Sequence, residues 1–197
     1  MTDQEVLSIF KNTHALLEGH FRLSSGRHSP QYFQCAKVLQ FPDHASRLCG
    51  VLAEHFKSQD IDAIVSPAFG GIVVGQEVGR QLGVRSMFTE RKDGLMQLRR
   101  GFDVTKGERV LVCEDVITTG GSIQEVMRIV ARFGGSVAGT CAIVDRSDGN
   151  AGLPNFHAVL RLEVTTYDAA QCPLCAKGIP MDVPGSRESV MPAGKTN

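Results

Sequence analysis

Hydrophobic residues follow helical spacing in the first third of the chain. Apolar positions recur every three or four residues in 3–18 and again in 42–58, which is typical of amphipathic helices. Gly19 is expected to end the first helix, because glycine is a poor helix former. Residues 21–29 are rich in turn formers and precede a short apolar stretch at 32–35. We therefore predict two helices joined by an irregular segment.

After residue 60 the pattern changes to short apolar runs that alternate with helical segments. The strand candidates are 63–65, 84–89, 109–113, 137–144 and 158–164, and the helix candidates are 72–82 and 121–134. Strands that alternate with helices indicate βαβ units and a parallel sheet. Apolar runs without polar alternation fit strands that are covered on both faces of the sheet. The predicted fold class is α/β, with a mainly parallel twisted sheet flanked by helices.

Composition and charge narrow the classes of partner. The chain is 42% hydrophobic and 21% charged with a formal net charge of zero, so nothing in it favours nucleic acid or an anionic membrane as a general partner. Residues 1–8 carry acids where a secretory peptide carries basic residues, and no apolar run has the ~18 residues of a membrane span. The scattered cysteines (Cys35, Cys49, Cys113 and Cys141) stand among apolar residues, which favours core positions and a reducing cytoplasm.

Chemistry is concentrated in residues 110–122, VLVCEDVITTGGS. An apolar strand leads to Glu114 and Asp115, and a turn rich in threonine and glycine then leads into a helix. The free N–H groups and the positive dipole end of a helix bind phosphate, and glycine lets the backbone close around it. Carboxylates repel phosphate but accept hydrogen bonds from sugar hydroxyls or hold magnesium. The segment therefore predicts a site for a phosphorylated pentose.

The same segment could instead have a purely structural role, in which residues 118–122 cap a helix while the acid pair is solvated at the end of the strand. The ordered succession of strand, acids, threonines, glycines and helix favours the binding site over this role. The segment has no Gly-Lys-Ser/Thr, so it is not a Walker loop, and it does not have the glycine spacing of a dinucleotide-binding turn.

VLVCEDVITTGGS resembles the phosphoribosyl-pyrophosphate (PRPP) signature of the type I phosphoribosyltransferases, in which the position of Glu114 is commonly an aspartate. The resemblance implies the type I fold with a small N-terminal hood, and Mg²⁺ held mainly by the pyrophosphate of PRPP, with no protein ligand assigned. The acid pair is expected to be catalytic. The PRPP-binding residues implied in this segment are Glu114, Asp115, Val116, Ile117, Thr118, Thr119, Gly120, Gly121 and Ser122.

Two further segments are similar to PRPP-binding parts of that family. Residues 67–71 are similar to its pyrophosphate loop, which implies that Phe69, Gly70 and Gly71 bind PRPP; in some relatives the position of Gly70 is a lysine. Residues 90–101 are similar to an Arg-Lys pair followed by a mobile loop that closes over PRPP, often from the neighbouring subunit. Arg91 and Lys92 match the pair and are expected to be catalytic and to bind PRPP. The lysine and histidine of that loop are absent here, and Arg99 and Arg100 are the nearest cations.

Other residues resemble the orotate-specific members of the family. Residues 21–27, followed by the aromatic pair Tyr32 and Phe33, are similar to their N-terminal substrate segment, although Ser24 stands where a lysine is common. Arg146 matches the arginine that receives orotate, and Thr118 occupies a position that also meets the pyrimidine. The implied reaction transfers phosphoribosyl from PRPP to orotate in a homodimer with shared active sites. Ordinary strand packing would also account for the two rings.

Two alternative functions remain open at this point. One is a phosphoribosyltransferase for a purine such as adenine or xanthine, and the other is a non-catalytic regulator that senses PRPP. The chain is interpreted as one phosphoribosyltransferase domain, 1–197, with a hood and substrate segment at 1–40, an α/β core at 60–165 and a C-terminal extension at 166–197.

Cys172 and Cys175 form a CxxC with no second pair. A structural zinc site needs four ligands, and the nearest upstream histidine, His157, is fifteen residues away in the sequence. A buried or oxidised pair is therefore favoured over a metal or redox site. His28 lies in the substrate-like segment and is a candidate ligand contact.

Overall fold

The polypeptide folds as two units, a core unit and a hairpin unit. The structure, a computed structural model, describes residues 1–23, 25–147, 149–162 and 165–184. The core unit contains Met1–Ala15 and Cys35–Glu163, and the hairpin unit contains Leu16–Gln34 and Val164–Asn197. Ser24, at the family's lysine position, and residues 185–197 lie outside the described residues.

The helices and strands alternate along most of the chain. In chain order they are α1 Asp3–Asn12, β1 Leu16–Arg22, β2 His28–Phe33, α2 Ala36–Leu39, α3 Pro42–Phe56, β3 Ala63–Pro67, α4 Gly70–Leu82, β4 Arg85–Lys92, β5 Leu95–Leu98, β6 Arg109–Ile117, α5 Gly121–Arg132, β7 Ser136–Asp145, β8 Phe156–Arg161 and α6 Pro173–Ala176.

The core unit is built on a six-stranded sheet with the order β5-β4-β3-β6-β7-β8. All neighbouring strands are parallel except β4 and β5, which are antiparallel. Strand β3 lies between β4 and β6, so that Val65 is paired with Met87 on one side and Val112 on the other. The predicted α/β class with a mainly parallel sheet is confirmed.

Helices cover both faces of this sheet. Ile64 of β3 lies beneath Gly75 and Gly79 of α4, where an added Cβ would be 3.2 and 3.5 Å from its side chain. Its neighbour Val65 faces the opposite way, as successive strand residues do, and joins a buried cluster with Val126 of α5. The α4 and α5 helices therefore lie on opposite faces, and both begin at the edge of the sheet where β3 and β6 end.

The first helix is shorter than the pattern indicated. It ends at Asn12, where Thr13 donates its hydroxyl hydrogen to the Ile9 carbonyl at 2.8 Å and His14 takes a left-handed φ of 52°. The apolar residues that follow belong to β1, in which Leu16 is paired with Phe33. The prediction that the helix continues to residue 18 was wrong, because a left-handed residue ends a right-handed helix.

Strand β5 was not predicted, and β6 is four residues longer than expected. Residues 90–98, expected to form part of a mobile loop, instead form a β4–β5 hairpin. Its tip is Asp93-Gly94, with φ of 52° and 78°, which is the conformation of a two-residue type I′ turn. Because β6 extends to Ile117, Glu114 and Asp115 lie inside this strand and not beyond its end.

In the hairpin unit, β1 and β2 are antiparallel, with an irregularity between Glu18 and Phe21. The C-terminal segment adds to both strands through isolated bridges, one between Phe21 and Asp182 and one between His28 and Tyr167. Among the described residues, no helix combines the length and the apolar character needed to cross a membrane.

Candidate active site

The acid pair of β6 lies in a half-buried position in the core unit. The Asp115 N–H donates to Glu114 Oε1 at 3.2 Å. Burial, followed by the negative charge of Asp115, raises the pKa of Glu114 well above its usual value. Burial also raises the pKa of Asp115, against hydrogen bonds that lower it. Two adjacent carboxyls with raised pKa values are stabilised in their charged forms by a cation or by hydrogen-bond donors.

The start of α4 is in close contact with this pair. A Cβ added to Gly70 would be 2.2 Å from Asp115 Oδ2, and one added to Gly71 would be 3.2 Å from Glu114 Oε1. Only glycine allows the helix to begin this close to the carboxylates. The preceding peptide, Ala68–Phe69, is cis, and the Phe69 side chain is 79% exposed. Gly70 and Gly71, whose N–H groups stand where a helix supplies no acceptor, thus lie close to the acid pair.

Residues 118–122 connect β6 to α5. Thr118 and Thr119 are exposed, and Gly120 is the N-cap of α5 with a left-handed φ of 75°. No side chain caps this helix end; the Gly121 N–H has only a long contact of 3.4 Å with Thr119 Oγ1. The turn therefore presents hydroxyls and backbone N–H groups to solvent, which is an arrangement that binds phosphate.

Arg146 follows β7, the strand beside β6. Its N–H donates to the carbonyl of Ile117 at 2.8 Å, which fixes its backbone against the end of β6. Buried Asp145 holds the same turn from the other side, because its Oδ1 accepts from the Ser147 N–H at 2.9 Å and from the Ser147 hydroxyl at 2.6 Å. Neither Asp145 nor Ser147 was predicted from the sequence; an aspartate followed two residues later by a serine is a turn signal that could have indicated them.

Cys35 is buried, as its apolar surroundings indicated, but its place beside the acid pair was not predicted. Its sulfur lies 4.0 Å from the Asp115 carbonyl oxygen. Burial raises its pKa well above the usual value, the charges of Asp115 and Glu114 raise it further, and the charge of Arg146 lowers it. The Cys35 thiol therefore lies protonated against the backbone of Asp115.

The basic cluster of the β4–β5 hairpin is largely engaged in ion pairs. Arg91 donates to Glu125 of α5 at 2.7 Å and to the Gly94 carbonyl at 2.9 Å, while Lys92 is exposed at the end of β4. Arg99 and Arg100, the cations nearest in sequence to the position of the family's missing loop lysine, are paired with Glu90 at 3.1 and 3.0 Å. Exposed pairs of this kind are weak and can exchange for a phosphate ligand.

The aromatic pair of β2 lies in the hairpin unit. Phe33 is 5% exposed, and Tyr32 is half-buried with its ring centroid 5.8 Å from that of Phe21. The Tyr32 ring thus contacts another ring of its own unit, as ordinary strand packing would place it.

Comparison with known proteins identifies the family. The phosphoribosyl transferase domain family matches residues 37–159. Orotate phosphoribosyltransferase from Chlorobaculum parvum is 55% identical over 190 residues, which cover 96% of this chain and 98% of that protein. The enzyme of the same name from Caldicellulosiruptor bescii is 52% identical over 95% of this chain and 100% of that one. This chain belongs to the orotate phosphoribosyltransferase family. The resemblance inferred from its motifs is confirmed.

Solved structures agree with this membership. Orotate phosphoribosyltransferase from Aeropyrum pernix has a TM-score of 0.70 at 26% identity, covering 80% of this chain and 94% of that one. Adenine phosphoribosyltransferase from Rhodothermus marinus, at 23% identity and a TM-score of 0.65 over 81% of this chain and 99% of that one, shares the fold. The expected type I phosphoribosyltransferase fold is therefore confirmed for this family member.

Proposed function

We propose that this chain transfers the phosphoribosyl group of PRPP to orotate, giving orotidine 5′-monophosphate and pyrophosphate in pyrimidine biosynthesis. One observation carries the proposal: the paired carboxyls of β6 lie against the glycine start of α4, and residues 116–120 join them to the uncapped start of α5. Each of the two helix starts can bind an anion, and the carboxyls can accept hydrogen bonds from the hydroxyls of a sugar.

The acid pair is assigned to the ribose. Glu114 and Asp115 accept hydrogen bonds from the ribose hydroxyls, and their negative charge stabilises the positive charge that develops on the sugar as its bond to pyrophosphate breaks. The raised pKa values fit this role, because a ligand that donates hydrogen bonds relieves the burial of the charges. Val116 and Ile117 hold the strand in register beneath the sugar.

The two helix starts are assigned to the two anionic ends of PRPP. The 5′-phosphate is bound by N–H groups and hydroxyls of residues 118–122, and the pyrophosphate by the N–H groups of residues 69–71. Arg91 and Lys92 supply positive charge to the departing pyrophosphate. The acid pair and the phosphates also fit Mg²⁺, a cation of oxygen ligands, which when bound neutralises charge on the leaving group.

Arg146 is assigned to the binding of orotate. Its guanidinium presents a planar set of donors that matches the carbonyl and carboxylate oxygens of the pyrimidine, with Thr118 as a second contact. The ring nitrogen forms the new bond to the anomeric carbon, its proton passes to the departing pyrophosphate, and the electron pair of the broken C–O bond leaves with that group. Tyr32 and Phe33 remain predicted orotate contacts on the strength of the resemblance alone.

The assignment is tested with Glu114→Gln/Asp115→Asn. Steady-state orotate consumption with PRPP and magnesium should fall by at least about 100-fold, as expected when interactions made in the transition state are lost. Glu54→Gln, which removes an exposed carboxylate of α3 (68% exposed side chain), is the matched control and should keep normal turnover. Unchanged turnover in the double variant would remove the acid pair from the mechanism.

The base is tested in the same assay by replacing orotate with adenine or xanthine. Pyrophosphate release with a purine but not with orotate would support the purine alternative. A protein that binds PRPP but releases no pyrophosphate with any base would support the regulatory alternative. We further propose that the active form is a cytoplasmic homodimer in which subunits share active sites, which sedimentation with and without PRPP can examine.

A further inference from the structure

The hairpin unit brings together four side chains that the proposed reaction does not use. They are His20 and His28 from β1 and β2, and Cys172 and Cys175 from the C-terminal segment, and their candidate ligand atoms all lie within 4.8 Å of one another. His20 and Cys172 are 152 residues apart in the sequence. The CxxC segment does not hold four ligands by itself, as expected, but the β1–β2 hairpin places two histidines beside its cysteines.

The distances match a single tetrahedral ion. With Zn–S near 2.3 Å and Zn–N near 2.05 Å, a tetrahedron places nitrogen and sulfur ligands about 3.6 Å apart and two nitrogens about 3.3 Å apart. His20 Nε2 lies 3.6 Å from Cys172 Sγ and 3.7 Å from Cys175 Sγ. His28 Nδ1 lies 3.3 Å from Cys175 Sγ and 2.9 Å from His20 Nε2. Each of these four separations is within about 0.4 Å of the tetrahedral value.

A hydrogen bond outside the cluster orients His20 for binding. Its Nδ1–H donates to the carbonyl of Ile179 at 2.8 Å, so the lone pair of Nε2 is directed at the two sulfurs and at His28. Metal-binding histidines usually make such a bond through the nitrogen that does not bind the ion, since it fixes the tautomer and the ring. Ile179 belongs to the turn that follows the cysteines, where the Gly178 N–H donates to the Cys175 carbonyl at 2.9 Å.

Backbone hydrogen bonds fix both histidines to the segment that carries the cysteines. His28 and Tyr167 exchange a pair of backbone bonds of 2.9 and 2.8 Å, and the Asp182 N–H donates to the His20 carbonyl at 2.8 Å. The cysteines lie between these two attachments. His20, His28 and Cys172 are 2%, 6% and 4% exposed, and Cys175 closes the cluster on its exposed side. Buried polar side chains in such a position require partners.

We propose that His20 Nε2, His28 Nδ1, Cys172 Sγ and Cys175 Sγ bind one Zn²⁺ ion as a closed structural site. Two thiolates and two imidazoles in a tetrahedron are a common structural zinc set, whereas magnesium prefers oxygen ligands. Each cysteine releases its proton on binding, and both histidines bind in the neutral form. The ion links the β1–β2 hairpin to residues 172–175 and takes no part in phosphoribosyl transfer.

Metal content of the purified full-length protein tests the proposal. We expect about one zinc per chain by plasma mass spectrometry, and less than about a tenth of that in Cys172→Ala/Cys175→Ala. The matched control is Cys113→Ala/Cys141→Ala, which removes the other close cysteine pair, with sulfurs 3.2 Å apart in the core unit. The control should keep its zinc.

A second set of variants separates ligation from folding. His28→Ala should lose zinc, while His28→Cys, which restores a metal-binding atom, should recover it. Cobalt added to zinc-stripped protein should give a thiolate-to-cobalt charge-transfer band in the wild type and not in the double cysteine variant. A wild-type protein without zinc that gives no cobalt band, or one with a Cys172–Cys175 disulfide as isolated from reducing conditions, would overturn the proposal. Orotate turnover is measured separately. A protein that binds zinc but does not transfer phosphoribosyl to orotate would therefore contradict the proposed function and not the zinc site.

Discussion

Gly70→Ala is the substitution for which the structure gives the sharpest prediction. The added methyl would be 2.2 Å from Oδ2, 2.4 Å from Cγ and 2.8 Å from Oδ1 of Asp115. Non-bonded carbon contacts are favourable near 3.5 Å, so the carboxylate must move by about 1 Å. It can do so by rotating its side chain, which leaves the fold of α4 and β6 intact.

The expected cost falls on catalysis and not on stability. A misplacement of about 1 Å in a catalytic group costs on the order of 100-fold in rate, which corresponds to about 2.7 kcal/mol. The same change moves a helical residue to a better helix former, so the free energy of unfolding should change by less than about 1 kcal/mol.

The assay compares kcat for orotate and the thermal midpoint for Gly70→Ala and Gly50→Ala. Gly50 lies within α3, and its added methyl would be 3.2 Å from the flexible end of Gln81 and far from any assigned substrate group. We expect near-normal kcat for Gly50→Ala and a loss of about two orders of magnitude for Gly70→Ala. A folded Gly70→Ala protein with kcat within twofold of the wild type would refute the reasoning.

Three further predictions concern pH and positioning. Because their folded-state pKa values are raised, Glu114 and Asp115 bind more protons in the folded than in the unfolded protein. The stability of the ligand-free protein should therefore fall as pH rises from about 4 through these raised pKa values. Melting curves of Glu114→Gln/Asp115→Asn should lack this fall. Asp145→Ala should raise KM for orotate about tenfold by releasing the turn that carries Arg146, and Asp145→Asn should restore much of it, as initial-rate kinetics would show. The pKa of Glu77 is lowered to about 2, chiefly by its hydrogen bond with an exposed arginine. The stabilisation that Glu77 gives the folded protein is therefore present above about pH 4.5 and lost as pH falls toward 2. Glu77→Gln should lower the free energy of unfolding, measured in urea, by about 1–2 kcal/mol at pH 7 and by little near pH 2.

The strands of the sheet could be predicted from sequence because they are buried on both faces. Runs such as 63–65 and 110–113 are apolar without interruption, so local composition reports the environment directly. Strand β5 lies at the sheet edge with mostly half-buried residues, and its pattern could not be distinguished from a charged loop. The end of α1 depends on one left-handed residue, His14, which no periodicity indicates.

The candidate site, like the fold, could be predicted from the sequence only in part. The acid pair and the phosphate turn are contiguous in sequence, so their chemistry could be inferred from thirteen residues. The contact of Gly70 with Asp115 could not, because it depends on how closely α4 begins beside β6. The proposed zinc ligands were missed for the same reason: antiparallel pairing of β1 with β2 and backbone bonds to the tail bring them together.

The discontinuity of the hairpin unit has a consequence for synthesis on the ribosome. Every described strand and helix of the core unit has been translated once residue 162 is made, whereas residues 16–34 must wait for 165–184 before their unit can form. A two-stranded hairpin alone is marginally stable in water. The nascent chain is therefore expected to carry residues 16–34 as an unfinished segment until residues 165–184 emerge. A truncation just after residue 162 would keep the whole sheet but remove the second half of the hairpin unit, and residues 16–34 should then be a site for proteolysis.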